Sequence, residues 1–528
     1  MPVMNTLDSK SLTSYARTLG FAALLATSQL AGCSAAGSDA YGDSGFGEDE
    51  GSGLDPGVGQ GGAQDFGLFR EILLEGEIPG PETIDDLGFF AEHHVDLPSA
   101  DCGENVCIHG MLGVMGNMIS GSNCTVVLVG MNTPIDPDKV ERPPLNLALA
   151  VDLSGSMQGA TMDHVREGLL RMRDGLLPED RVTLIGFSDT AEVLVEQVAG
   201  DSGELAAAIA NLSPSGNTNI YAGLRSAYEL TDAYAQPGMQ NRVVLVSDGE
   251  ATAGITSDAA ILGLAESWGE LGYNLTTIGL GASFDVELMR ELAELGSGSF
   301  YYLEDPAAVE EVFEEEVQAF LIPLAEDAHI DATVFEGYDL RALYGTKQFE
   351  LSGNHASIDI PVLQIAHRVS TSDNESGRRG GGGAMLLELL PNGDYPGEVG
   401  RLEFSYRDPA SQEMVFQEID ITSPLGPWET PPGGYFSGPS VEKGFVMLNI
   451  FVGFRMASQR ASVGDDPSAL TTLRALHGAV EGWLATHEDE DITDDLFYIG
   501  LFIDNLEARG TTSHSPNPLP PPEPWPND

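Results

Sequence analysis

Between residues 145 and 324 the chain alternates short, unbroken apolar runs with stretches whose apolar residues recur every three or four positions. A run apolar on both faces reads as a strand covered on both sides, and a periodic stretch reads as a helix with one apolar face. Their alternation predicts an α/β segment, a doubly wound and mainly parallel sheet between two helical layers. Strands are expected at 145–151, 181–187, 242–247, 275–279 and 299–302. The first intervening helix carries Met162, Val165, Leu169, Met172 and Leu176 at alternating spacings of three and four, so one face packs on the sheet. The whole chain has 528 residues, too many for one core, and 42% hydrophobic content is enough to fill about two to four.

The flanks read differently. Residues 1–32 read as an export signal, with Lys10 and Arg17 ahead of an apolar stretch at 20–26. Its end, Leu30-Ala31-Gly32-Cys33, resembles a bacterial lipobox, which implies cleavage before Cys33 and lipidation of that cysteine. An ordinary cleaved signal and an uncleaved anchor are the alternatives. Ser34 follows the cysteine, and by analogy with lipoprotein sorting this points to the outer membrane of a bacterial envelope. Residues 33–64, rich in Gly, Ser and acids, read as a flexible tether. Residues 65–144 read as an α+β region, with two short helices around Pro79 and Pro81 and a clear strand at 126–129. Beyond the α/β segment, runs at 332–335, 355–360, 385–390 and 398–406 predict an antiparallel β-sandwich over 326–425. The glycines at 380–383 read as a hairpin loop, and no Lys-Ser/Thr follows them to make a phosphate cradle. A helical cap is expected over 437–509 and a Pro-rich tail over 510–528. The apolar stretch 445–454 is broken by Asn449 and Gly453 and is far shorter than the ~20 residues of a membrane span.

With 82 acidic and 24 basic residues, the formal charge of −58 repels phosphate backbones, so nucleic acid is not an expected partner. The membrane is expected as a partner through the lipid anchor only. Beyond Cys33 there remain Cys102, Cys107 and Cys124; in an oxidising compartment two pair and one stays free, with the pairing left open. A zinc cluster of these cysteines with His109 is disfavoured by the lack of a C-x2-C spacing.

Asp152, Ser154 and Ser156 stand in DLSGS directly after the first strand, at the edge where open α/β sheets place their ligand sites. Thr218, in GNTN, and Asp248, at the end of another buried strand, reach the same edge. All five offer oxygen, which suits a hard divalent cation: Mg2+, with Mn2+ or Ca2+ as alternatives. The pattern D-x-S-x-S, a later Thr and an Asp after a strand resembles the metal-ion-dependent adhesion site (MIDAS) of von Willebrand factor type A (VWA) domains, whose fold is Rossmann-like. The resemblance covers about 180 residues. It implies that Asp152, Ser154, Ser156, Thr218 and Asp248 hold the metal directly or through water, and that a partner protein completes the shell with an acidic residue. The wider arrangement resembles bacterial lipoproteins called Ca-activated chloride channel homologues and the inter-alpha-trypsin inhibitor heavy chains. Glu250 is either a tuner of that metal or simply exposed.

An enzyme is not expected. DLSGS lacks the leading glycine of G-x-S-x-G, no H-E-x-x-H occurs, and His93, His94 and His164 read as surface residues. The reading is a metal-dependent adhesion or scaffold protein of the envelope. A structural subunit of a channel or complex, and a metal-dependent hydrolase, are the other readings.

Overall fold

The computed structural model describes residues 56–64, 66–136, 142–248, 250–280, 285–303, 323–366, 383–393 and 397–511. The signal, Cys33, the tether up to residue 55, the glycine-rich loop up to 382 and the tail from 512 lie outside them.

The composition of residues 56–64 predicts tether, but this segment forms β1 (Gly57–Gln60) and β2 (Gly62–Ala63), with Val58 and Ala63 buried. Backbone bonds, which composition does not report, hold it: Gly62 N–H donates to Gly298 O at 2.6 Å and Gln64 N–H to Phe300 O at 3.1 Å. A side chain at Gly61 would place its Cβ 2.5 Å from Gly298 O, so only glycine lets the two backbones meet. Two short helices follow, α1 (Gly67–Leu74) and α2 (Asp86–Ala91), the second capped by Asp85, which accepts from Gly88 N–H at 2.8 Å. Next comes an antiparallel hairpin of β3 (Cys107–Gly116) and β4 (Asn123–Asn132). Cys102 pairs with Cys107, leaving Cys124 free and buried.

The α/β segment runs β5 (Leu145–Asp152), α3 (Ala160–Gly175), β6 (Arg181–Phe187), β7 (Ala191–Ala199), α4 (Gly203–Ala210), α5 (Ile220–Ala233), β8 (Gln240–Ser247), α6 (Asp258–Gly269), β9 (Asn274–Leu280), α7 (Val286–Leu295) and β10 (Ser299–Leu303). Its sheet has the order β2-β10-β9-β8-β5-β6-β7, parallel except for the edge strand β7. Along β5, Leu145, Leu147, Leu149 and Val151 join the core under α3 and α4. Ala148 and Ala150 alternate with them, and their small side chains let α5 pack close on the other face, with Leu224, Ala227 and Tyr228.

The chain then forms β11 (Pro323–Val334), β12 (Tyr338–Tyr344), β13 (Phe349–Ser352), β14 (His355–Ala366), β15 (Met385–Pro391), β16 (Glu398–Arg407), β17 (Met414–Thr422) and β18 (Tyr435–Phe436). They build an 11-stranded sheet, of order β12-β15-β4-β1-β14-β11-β16-β17, with β3 and β18 continuing from β4 and β13 on β14. The sequence separates 65–144 from 326–425, but pairing joins them: Val129 of β4 lies opposite Met385 of β15. Alternation identifies a strand without naming its neighbour, which is why that division misses the shared sheet. The sheet folds over so that Val127, Val129 and Met131 meet Ile330, Leu402 and Phe404 in one interior, with Gly110 against Leu402, Ile419 and Ile421.

Three helices close the described chain: α8 (Pro439–Ser462), α9 (Asp466–Leu484) and α10 (Glu490–Ala508). They cover the other face of β4 and β15, at Val126, Leu128 and Leu386, and enclose Phe66, Phe69, Phe89, Phe90, Phe451 and Phe454. Among the described residues no helix is long and apolar enough to cross a membrane.

Candidate metal centre

β5 is flanked by β6 on one side and β8 on the other, so the sheet order reverses beside it and opens a crevice at the carboxyl ends of β5 and β8. Asp152 ends β5 and is fully buried; Asp248 follows β8 and is half-buried. The loop after β5 turns back at once because Asp152 Oδ1 accepts from Ser154 N–H at 2.7 Å. Ser247 donates its hydroxyl to Asp152 Oδ2 at 2.6 Å, tying the ends of the two strands together. From there the hydroxyls run outward: Ser154 Oγ lies 2.9 Å from Ser156 Oγ, and the Ser156 hydroxyl donates to Asp248 Oδ1 at 2.9 Å.

Thr218 is buried just before α5 and is held through its backbone. Its N–H donates to Thr252 Oγ1 at 2.9 Å, and its carbonyl accepts from Thr252 and Ala253 N–H at 2.9 and 3.0 Å. On the other side of this loop, Gly155 N–H donates to Gly216 O at 3.0 Å and Ser215 N–H to Leu153 O at 2.5 Å. Three loops are therefore stitched into one rim, and Asn219, next to Thr218, caps α5 by accepting from Ala222 N–H at 3.1 Å. Of the five residues singled out in the sequence, Asp152, Ser154, Ser156 and Asp248 form one hydrogen-bonded chain, and Thr218 sits on the rim beside them. Glu250 is exposed.

Burial pushes the Asp152 carboxyl above its ordinary value; hydrogen bonds from Ser247 and Ser154 oppose this, and the Asp248 charge adds to it. Asp248 is raised as well, again chiefly by burial, with the Ser156 hydrogen bond working against it. Two carboxylates and three hydroxyl-bearing side chains, all oxygen donors, fit a hard divalent cation. Ser154 and Ser156 bond each other and Asp248 rather than a histidine, which is not the arrangement of an activated nucleophile.

A second cluster escapes sequence reading. His93, expected at the surface, is fully buried: Nδ1 lies 2.6 Å from Phe89 O, Nε2 lies 2.9 Å from Asp495 Oδ2, and its ring packs on Phe89. Its partner is 402 positions away on α10, so no local pattern announces the pair. With Glu92 the two bring ligand atoms within 4.8 Å of one another, a set that can coordinate a divalent cation. Arg70 already supplies a counter-charge there, its Nη1 lying 2.7 and 2.6 Å from the two Glu92 oxygens. His94 and His164 are partly exposed, and His109 bonds Asn132 Oδ1 at 2.8 Å.

Residues 146–315 match the von Willebrand factor type A domain. Over 196 residues the chain is 28% identical to "Uncharacterized protein YfbK" of Escherichia coli, covering 36% of this chain and 34% of that protein. It is 25% identical over 347 residues to "Uncharacterized protein sll0103" of Synechocystis sp., covering 64% and 79%. Inter-alpha-trypsin inhibitor heavy chain H4 of Homo sapiens is 28% identical over 166 residues, covering 30% and 18%. The chain thus spans about a third of the length of the Escherichia coli relative.

Proposed function

We propose, from the premise that this is a VWA-domain protein related to bacterial and eukaryotic VWA-fold proteins, that it binds a protein partner through a divalent cation held at Asp152, Ser154, Ser156, Thr218 and Asp248. The observation that carries this reading is the hydrogen-bonded chain from buried Asp152 to Asp248 at the point where the sheet order reverses. When bound, the cation, Mg2+ by the hardness of its donors, offers an open coordination position to a carboxylate of the partner. Asp152 and Asp248 supply two formal negative charges, few enough to leave the ion attractive to a third. The backbone ties of the three loops hold the donors in place, and the exposure of Ser156 leaves the outer side open. Cys33 is the proposed lipid attachment, with the protein on the outer membrane of a bacterial envelope.

The test uses the immobilised full chain and an envelope extract, in Mg2+, in chelator, and with Asp248→Ala. A protein retained by the wild type in Mg2+ and lost in the other two conditions is the expected result. If the folded wild type and the folded variant retain the same set with and without Mg2+, the metal-bridged reading is wrong.

A further inference from the structure

The outward face of the antiparallel sheet carries a donor set of different chemistry. β11 and β14 pair so that His329 lies opposite Asp359, Asp331 opposite Ser357 and Thr333 opposite His355. Side chains alternate along a strand, so Ile330, Ala332, Ala356 and Ile358 fill the interior while these residues face solvent. Asp331 stands between two imidazoles. Its Oδ2 is 3.1 Å from His329 Nε2 and its Oδ1 is 3.1 Å from His355 Nε2. Behind the first ring, His329 Nδ1 is 2.7 Å from Asp359 Oδ1. Asp359 accepts a hydrogen bond from Nδ1–H, which fixes the ring's direction as outer carboxylates do at zinc sites, so Nε2, which faces Asp331 Oδ2, is the nitrogen that would exchange that contact for a metal. On the neighbouring strand β16, Glu403 lies opposite Asp331, also facing outward.

We propose that His329, Asp331 and His355 form a binding site for a divalent cation of borderline hardness, Zn2+ in the first instance, with Asp359 orienting His329. Two imidazoles and a carboxylate favour zinc over magnesium, which separates this site from the all-oxygen set at Asp152. All three residues are about one-third to two-fifths exposed, so an ion enters without opening the fold. It would pin β11 to β14 across the ladder. Two simple ion pairs between protonated histidines and Asp331 would give the same contacts and bind no metal.

The experiment is a Zn2+ titration of the purified, metal-free full chain at neutral pH, in excess Mg2+ and against a chromophoric chelator. Wild type is expected to take up one Zn2+ more than His355→Ala. Asp359→Asn, a change at a more exposed position, should keep that equivalent but bind it about 10–100-fold more weakly. Equal Zn2+ stoichiometry in wild type and His355→Ala, or unchanged affinity in Asp359→Asn, overturns the proposal. Circular dichroism confirms that each variant is folded.

Discussion

Glu294 of α7 shows how much one position depends on its surroundings. Burial pushes its carboxyl up to about 8, with Asp85 and Asp86 adding to the effect and Lys347 and Arg290 opposing it. One of its oxygens is buried without a hydrogen-bond partner. Asp85, a short distance away, goes the other way: burial works against its charge, but Lys347, Arg290 and the Gly88 N–H hold it down to about 2. A carboxyl raised in the folded state stabilises the fold fully below its unfolded value of 4.5 and loses that contribution as pH rises through about 8. Glu294→Gln, neutral throughout, should match wild type at pH 4.5 and gain on it steadily up to pH 8.5 in urea unfolding. A difference that does not change with pH would refute this. Among single residues, the metal candidates were the most legible, because three of them fall within five positions at a strand end. His93 was illegible because Asp495, which makes its burial tolerable, comes from the far end of the chain.

Helix α8 lies within the helical cap expected over 437–509, and the two residues that break its apolar stretch each make a specific contact. Asn449 Oδ1 accepts from Met118 N–H at 2.8 Å, and Asn449 Nδ2 donates to Phe445 O at 2.8 Å, so one amide joins the β3–β4 turn to the helix. Gly453 lies where a Cβ would come within 2.5 Å of Leu476, bringing α8 and α9 together. Asn449→Leu should cost about 1–3 kcal/mol by orphaning the buried Met118 N–H. Denaturant unfolding reads this directly, and an unchanged midpoint would show that the amide is dispensable. Every strand expected in the α/β segment is present, since fully covered strands are written as unbroken apolar runs. The edge strand β7 was missed: its Glu192, Val193 and Glu196 face solvent and dilute the apolar signal.

At the scale of the molecule, the seven positions Gly57–Ala63 belong to two sheets at once. β1 lies between β4 and β14 in the antiparallel sheet, and β2 extends the parallel sheet at β10. The segment that matches the VWA domain, residues 146–315, has its sheet extended by a strand that precedes it in the chain. Residues 145–325 produced alone should expose the β10 edge and be less stable or more prone to associate than the same segment within the full chain. Thermal melting with light scattering checks this, and equal melting points would show that β2 adds nothing. Sequence alone assigns these positions to a tether because glycine-rich backbone pairing leaves no hydrophobic pattern. The arrangement also sets a mechanical order. A pull entering from the N-terminal side at Pro56 meets β1, held by neighbours on both sides, before any tension reaches β2 and the edge of the parallel sheet. Under load, β1 acts as a strain relief for β2, and the loops around Asp152 keep their shape for as long as β1 holds.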